Sequence, residues 1–337
     1  MLPIRTLFLS LAILAAACAP QQPGPAPRAD ASVRTDQSPE ARTLIIAFRY
    51  EPIALAAKIP GSGSSNDIKR FFNAALALND DKGVAQPYLA QSLPQLNTDA
   101  WRVFPDGRME TTYRLRSGLT WHDGQPLTSD DFVFAWHVYT AAGLGMFIPR
   151  PQEQMTEVVS VDPTTVLIRW KSVYPESGAL VNTDFEPLPR HILAQPFAVY
   201  EANRDDKETF LNLPYWSTEF VGPGPYRLGS WAPGSEITGT AFDGHALGRP
   251  KIDRIIARLL NDENTVASNM LAGAVQYTAR FSLFFEHAVV LKREWAASNR
   301  GVVLLRDDTR AYADFARGRP EGSRQTMTAS SPMQLVT

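Results

Sequence analysis

From Thr43 to Phe48 the chain reads Thr-Leu-Ile-Ile-Ala-Phe, a nearly continuous apolar run closed by Arg49-Tyr50-Glu51-Pro52. A run of that length bounded by turn formers predicts a buried strand and then a polar turn. After a Gly-Ser loop at Gly61 to Ser65, apolar residues at 68, 71, 72, 75, 76 and 78 predict a largely buried helix over Ile68 to Leu78. Trp101 to Phe104 and Met109 to Leu115 flank Pro105-Asp106-Gly107. Asp-Gly between two β-prone runs predicts a hairpin. A second hairpin is expected where Val158 to Val161 and Val166 to Trp170 flank Asp162-Pro163-Thr164-Thr165.

Between the hairpins, Phe132, Ala135, Trp136 and Tyr139 recur at helical spacing, preceded by Thr128 and Asp131 at the spacing of a capping box. Negative charge in that first turn also suits the helix dipole. Further on, Val221-Gly222-Pro223-Gly224-Pro225 is a rigid loop feeding a strand at Tyr226, because glycine supplies unusual φ and each proline fixes its own. Lys251 to Leu260 predicts a buried strand, and Asn261-Asp262 can cap a helix over Glu263 to Leu271. A helix over Phe284 to Ala297 and a short strand over Val302 to Leu305 follow. Strands and helices in mixed order imply an α/β or α+β fold. From about Ala311 the apolar period disappears, which predicts a disordered or frameshifted tail over 311–337.

A length of 337 residues predicts about two domains. Thirty-three basic against 35 acidic residues leave a net charge of −2, which removes the electrostatic motive for binding nucleic acid. One cysteine excludes an internal disulfide framework and any cysteine-built metal site. Its position explains it. Arg5, an apolar stretch from Leu7 to Leu14 and Ala15-Ala16-Ala17-Cys18 read as a cleavable leader over residues 1–17, since the run is shorter than the roughly 20 residues that span a bilayer. The three alanines before Cys18 resemble a bacterial lipobox, with Ala15 where leucine is usual. On that reading Cys18 is lipidated and residues 18–42, rich in Pro, Ala and Gln, form a flexible membrane tether. The alternative is a plain leader cut near Ala17 or Ala19.

Little in the chain suggests catalysis. The five histidines stand in no metal-binding spacing, and there is no nucleophile elbow, P-loop or dinucleotide fingerprint. His122 and Asp123 are adjacent in a turn, where side chains point apart, so they are not read as an acid–base pair. The Gly222 to Pro225 loop lacks the backbone donors of a phosphate cradle. Trp136, Trp101 and Trp170 are read as core, whereas Trp216 and Trp231, which flank the Gly-Pro loop, are candidate walls of a binding pocket. Binding is the function that remains, with no cofactor.

Several ordered blocks then carry a resemblance. Pro87-Tyr-Leu-Ala-Gln-Ser-Leu-Pro94, Pro105-Asp-Gly107, Tyr113-Arg-Leu-Arg116, Trp121-His-Asp-Gly-Gln-Pro-Leu127 and Asp130-Asp-Phe-Val-Phe134 resemble the signature stretch of bacterial family 5 extracellular solute-binding proteins. Val221 to Tyr226, Gly248-Arg-Pro-Lys-Ile-Asp253, Asn261 to Asn264 and Leu271-Ala-Gly273 are similar to later stretches of the same family, in order. These are the oligopeptide, dipeptide and nickel-type receptors of ABC importers.

The resemblance implies a two-lobed, type II periplasmic binding protein fold of mixed α/β class, closing about a hinge. Residues 43–79 and 191–260 would form the main part of the first lobe, 80–190 an inserted subdomain, and 261–310 the start of a second, incomplete lobe. It implies a periplasmic monomer, lipid-anchored through Cys18, that delivers peptides to a permease and its ATPase and carries out no reaction; the alternatives are the same fold binding another solute, a metal chelate or glycoside, or a surface-anchored protein that transports nothing. The turn Tyr50-Glu51-Pro52 would face the ligand. Gln276 stands where the family usually has an acidic residue.

Overall fold

The computed structural model describes residues 41–59, 65–145, 150–181, 184–279, 282–296, 301–306 and 326–330. The leader, Cys18, the tether as far as residue 40, residues 61–64 of the Gly-Ser loop and most of the tail lie outside them.

In chain order the elements are β1 (Thr43–Phe48), α1 (Ser65–Lys69), β2 (Ala77–Asn79), β3 (Ala85–Pro87), β4 (Trp101–Val103), β5 (Met109–Arg114) and α2 (Ser129–Thr140). Then come β6 (Met155–Asp162), β7 (Thr165–Trp170), α3 (Arg190–Ala202), α4 (Lys207–Leu211), β8 (Tyr226–Ala232) and β9 (Glu236–Ala241). The last are β10 (Arg254–Leu259), α5 (Glu263–Leu271), β11 (Tyr277–Thr278), α6 (Phe285–Ala296), β12 (Val302–Arg306) and β13 (Thr326–Ser330).

β1 lies inside a seven-stranded sheet of order β12-β13-β11-β1-β10-β9-β8. It pairs in parallel with β10 on one side and β11 on the other, and β8, β9 and β10 continue antiparallel. Its unbroken apolar run follows from that place, because both faces are covered. Ile46 and Phe48 enter the larger core, while Ala47 faces a smaller one built from Val266 and Met270 of α5 and Leu291 and Trp295 of α6. Asp262 caps α5 by accepting from the Thr265 N–H at 2.7 Å.

Both hairpins form as the turn residues dictate, within a four-stranded antiparallel sheet of order β4-β5-β7-β6. β5 alternates, with Met109, Thr111 and Tyr113 buried. α2 lays Phe132, Ala135, Val138 and Tyr139 into the core, and its Asp131 carboxylate accepts from the Thr128 N–H at 2.9 Å, the capping-box geometry. The large core runs without interruption from Ile46 of the seven-stranded sheet to Trp170 of the four-stranded one.

Two expectations need correction. No helix spans Ile68 to Leu78: α1 ends at Lys69 and the chain turns into β2. The carbonyls of Phe71 and Phe72, which a helix would need, accept instead from the N–H groups of Tyr226 and Gly224 at 2.9 and 3.1 Å. A tertiary contact overrides local periodicity here. In the tail, Thr326–Ser330 pairs antiparallel with β12 and touches β11, since an open strand edge accepts a short β-prone segment that no apolar pattern announces.

The Gly-Pro loop is held by this same crossing. A Cβ on Gly222 or Gly224 would lie 2.0 Å from the Phe72 carbonyl oxygen or 2.3 Å from its carbon, so glycine is required for close approach and not, as expected, for unusual φ. His122, 2% exposed, locks the other side. Its Nδ1 accepts from the Gly222 N–H at 3.1 Å and its Nε2 donates to the Gly224 carbonyl at 3.0 Å, which fixes the tautomer. Burial pushes its pKa down to about 4, so the ring is neutral at physiological pH. Asp123 turns away and meets His191 at 2.8 Å.

Candidate ligand-binding edge

The parallel strands β1, β10 and β11 end on one side of the sheet, and in open α/β sheets the crevice beyond the carboxyl ends of strands is where ligands bind. Arg49-Tyr50-Glu51-Pro52 leaves β1 at that rim. Tyr50 is 39% exposed and Ile53 75%, whereas Pro52 is buried and anchors the turn.

Glu51 and Trp231 come together although 180 residues separate them. The Trp231 indole N–H donates to Glu51 Oε1 at 2.7 Å, and the Gly234 N–H reaches Oε1 at 3.2 Å and Oε2 at 3.0 Å. Trp216 does not join them, which corrects its reading as a pocket wall. It is 3% exposed, set among Phe210 and Tyr215, and its indole N–H donates to the Phe210 carbonyl at 2.7 Å.

Sequence reasoning missed Arg49. Its guanidinium pairs with Glu263 in the first turn of α5 and lies over the rings of Tyr50 at 5.6 Å and Phe284 at 5.1 Å. Its backbone N–H donates to Ser282 Oγ at 3.1 Å. One side chain thus ties the end of β1 to α5 through a charge pair and to the segment entering α6 through a cation–π contact with Phe284. A cation directly after a buried strand was the available signal, but its partners lie more than 200 residues away. Gln276 also has a defined role, because its Oε1 accepts from the Ile45 N–H and its Nε2 donates to the Gly273 carbonyl, both at 2.8 Å. An ionised carboxylate there would accept but could not donate.

Behind the rim the chain dives inward, with Ala54 to Ile59 buried. Lys58, fully buried, donates to the carbonyls of Arg150 and Asp184, and Lys69, 1% exposed, donates to the Ile59 carbonyl. Glu186, 5% exposed, lies close enough to attract both ammonium groups, yet its Oε2 has no hydrogen-bond partner. Burial pushes Glu186 up to about 8 and each lysine down to about 8, with their mutual attraction offsetting part of each shift. Among the described residues no cluster of His, Cys, Asp and Glu could hold a metal ion. The arrangement provides a partly aromatic edge tied to the sheet by the bonds of Arg49 and Glu51.

Residues 91–292 match the family model described as bacterial extracellular solute-binding proteins, family 5 Middle. The oligopeptide-binding protein AppA of Bacillus subtilis is 24% identical over 279 residues, covering 82% of this chain and 47% of that protein. Among solved structures, the oligopeptide binding protein from Thermus thermophilus, complexed with a pentapeptide, superimposes with a TM-score of 0.69 at 21% identity, over 78% of this chain and 48% of that one. NikZ from Campylobacter jejuni, in complex with Ni(L-His), gives 0.62 at 20% identity, over 78% and 47%. The chain spans about half the length of the relatives it matches. These likenesses establish the fold, and with the model covering most of the sequence, including the hairpins, the Gly-Pro loop and α5, the chain belongs to family 5 of the bacterial extracellular solute-binding proteins.

Proposed function

We propose that this chain is the substrate-binding subunit of an ABC importer, capturing peptides outside the cytoplasmic membrane and handing them to a permease driven by an ATPase. The observation that carries the reading is the rim at the carboxyl ends of β1, β10 and β11, where Tyr50 and Ile53 stand exposed on a turn held by Pro52, Glu51 and Arg49. The named peptide receptors that share the fold support it. A peptide lying extended along such an edge gains affinity from main-chain hydrogen bonds and little from its side chains. On this reading residues 43–79 and 191–260 form the main part of one lobe, 80–190 its insertion and 261–310 the start of the second. Arg49 then stands at the hinge between the lobes. Ligand binding favours the closed state by its differential affinity for that state. Lipidation at Cys18 would keep the body at the membrane, and the subunit acts as a monomer without catalysing a reaction.

Titration calorimetry of the intact chain with di- to hexapeptides tests this. Saturable heat is expected, and none at any length removes the peptide reading. The Ni(L-His) complex of NikZ favours a second reading, a metal chelate as cargo, and nickel–histidine titrated into the same chain separates the two.

A further inference from the structure

Glu51 is the one carboxylate in the turn that leaves β1, and a carboxylate there is the obvious counter-charge for a peptide's amino terminus. Its hydrogen bonds point elsewhere. Both oxygens are engaged from within the chain: Oε1 by the Trp231 indole at 2.7 Å, and both oxygens by the Gly234 N–H at 3.0 and 3.2 Å. Gly234 sits in the tight turn between β8 and β9 at φ +71, a conformation that favours glycine. That turn is tied to its other neighbour as well, because the Leu259 N–H at the end of β10 donates to the Ser235 carbonyl at 2.8 Å. The next residue, Leu260, donates its N–H to the Phe48 carbonyl at the end of β1, also at 2.8 Å.

These bonds form a closed belt around the rim. It runs from β1 to Leu260, through β10 to the β8–β9 turn, and back to β1 through Glu51. Only the last link is a side chain. The others are main-chain bonds that any sequence could make, so the belt's closure depends on the carboxylate at 51, which the Gly234 N–H and the Trp231 indole both hold.

We infer that Glu51 is a positioning residue which latches the β1 rim to the β8–β9 hairpin, and that the surface this rim offers a ligand is the apolar pair Tyr50 and Ile53 rather than a charge. This rests on the peptide-binding reading. An ammonium group drawn to Glu51, which is exposed, would have to share its carboxylate with two donors that are already covalently part of the fold and cost no association entropy. A rim with an aromatic and an aliphatic side chain, and its acid occupied, is indifferent to whether the peptide's amino terminus is charged.

The test uses the intact chain labelled with 15N-tryptophan and its variants Glu51→Ala and Glu51→Gln. The Trp231 indole resonance, assigned among the seven tryptophans through Trp231→Phe, is followed without any peptide. Loss of the acceptor in Glu51→Ala should move that resonance and speed its exchange with water. Glu51→Gln, which keeps a carbonyl oxygen, should give an intermediate shift. Calorimetry then compares one peptide with a free and with an acetylated amino terminus. The ratio of the two affinities should be the same in wild type and Glu51→Ala, even if both affinities fall. A Trp231 signal that Glu51→Ala leaves in place overturns the latch. So does a loss of about tenfold or more confined to the free-amine peptide, the signature of a direct ammonium contact. If wild type binds neither peptide, the peptide reading falls, while the ligand-free Trp231 signal still decides whether the latch exists.

Discussion

Two groups of charged residues tie distant segments of this chain together, and they do so in opposite ways. On the surface, Asp253 accepts from Arg249 at 2.7 Å and from Arg42 through its backbone at 2.9 Å and its side chain at 3.3 Å, while Arg249 also reaches Asp243 at 2.7 Å. In the interior, among the described residues, Lys58 and Lys69 donate to carbonyl oxygens, and Glu186 keeps an oxygen without a partner. Hydrogen bonds from Arg249 and Arg42 draw the Asp253 carboxyl down to about 2, whereas burial drives the Glu186 carboxyl up to about 8. Proximity of opposite charge is common to both. What differs is the solvent: water screens the surface set, and its absence makes each interior charge destabilising unless it is compensated. The interior set joins the loop behind β1, α1 and the segment entering α3, so its balance bears on whether those segments stay docked.

The largest effect should therefore come from unbalancing the interior. Lys69→Ala removes a buried stem, leaves the Ile59 carbonyl without its donor and deprives Glu186 of an attracting charge. A loss of roughly 3 to 5 kcal/mol is expected in urea unfolding. Lys69→Met refills the volume without the charge and should lose less. A loss below about 1 kcal/mol for Lys69→Ala would place the interior set on a par with a surface pair and break the comparison.

Next in size is the pH response. Glu186 is raised from its ordinary 4.5 to about 8, so between those values the folded chain holds a proton that the unfolded chain has released. Its contribution is complete below about 4.5 and is lost as pH rises through about 8. Lys58 and Lys69 are lowered from 10.5 to about 8, so stability recovers between those values as the unfolded chain gives up its own protons. His122, lowered from 6.5 to about 4, removes stability as pH falls across that window. Thermal unfolding should show a shallow minimum near pH 8, worth roughly 1 to 3 kcal/mol relative to about pH 5.5. Glu186→Gln should flatten the descent across that interval and leave in place the acid limb, to which His122 and His245, both lowered by burial, contribute. An unchanged descent in that variant would assign it to other groups.

The same contrast between near and far explains what could be read from the sequence. Asp106-Gly107, Thr128 with Asp131, and Asp262 with Thr265 act within a few residues, and the hairpins and caps they announce are present. The order of the seven-stranded sheet was not legible, because the neighbours of Thr43 and Ile46 in it are Arg254 and Tyr277. The missing helix after Lys69 is a local pattern overruled because the N–H groups of Gly224 and Tyr226 capture the Phe72 and Phe71 carbonyls. α3 went unread, and with Pro196 in its interior its period gives little warning. Of the two tryptophans singled out, Trp231 reaches the rim and Trp216 the core. At the candidate edge, Glu51 was visible as a residue and invisible as a latch, since its donors lie on a hairpin 180 residues on.

The smallest effect is expected at the surface. Asp253→Asn keeps an oxygen for the Arg42 backbone N–H and loses the ionic part of two contacts, to the partly solvated side chains of Arg42, 55% exposed, and Arg249, 45% exposed. Such pairs gain little beyond what water already gives each charge, and the screening length at physiological salt is about 8 Å. The unfolding midpoint should shift only slightly at low salt, and the shift should vanish as salt is raised. Lys69→Ala under the same titration should keep its full loss, because ions do not penetrate the core. Equal salt dependence in the two variants would mean that the interior charges are reached by solvent, and the distinction between the two networks would then be one of geometry alone.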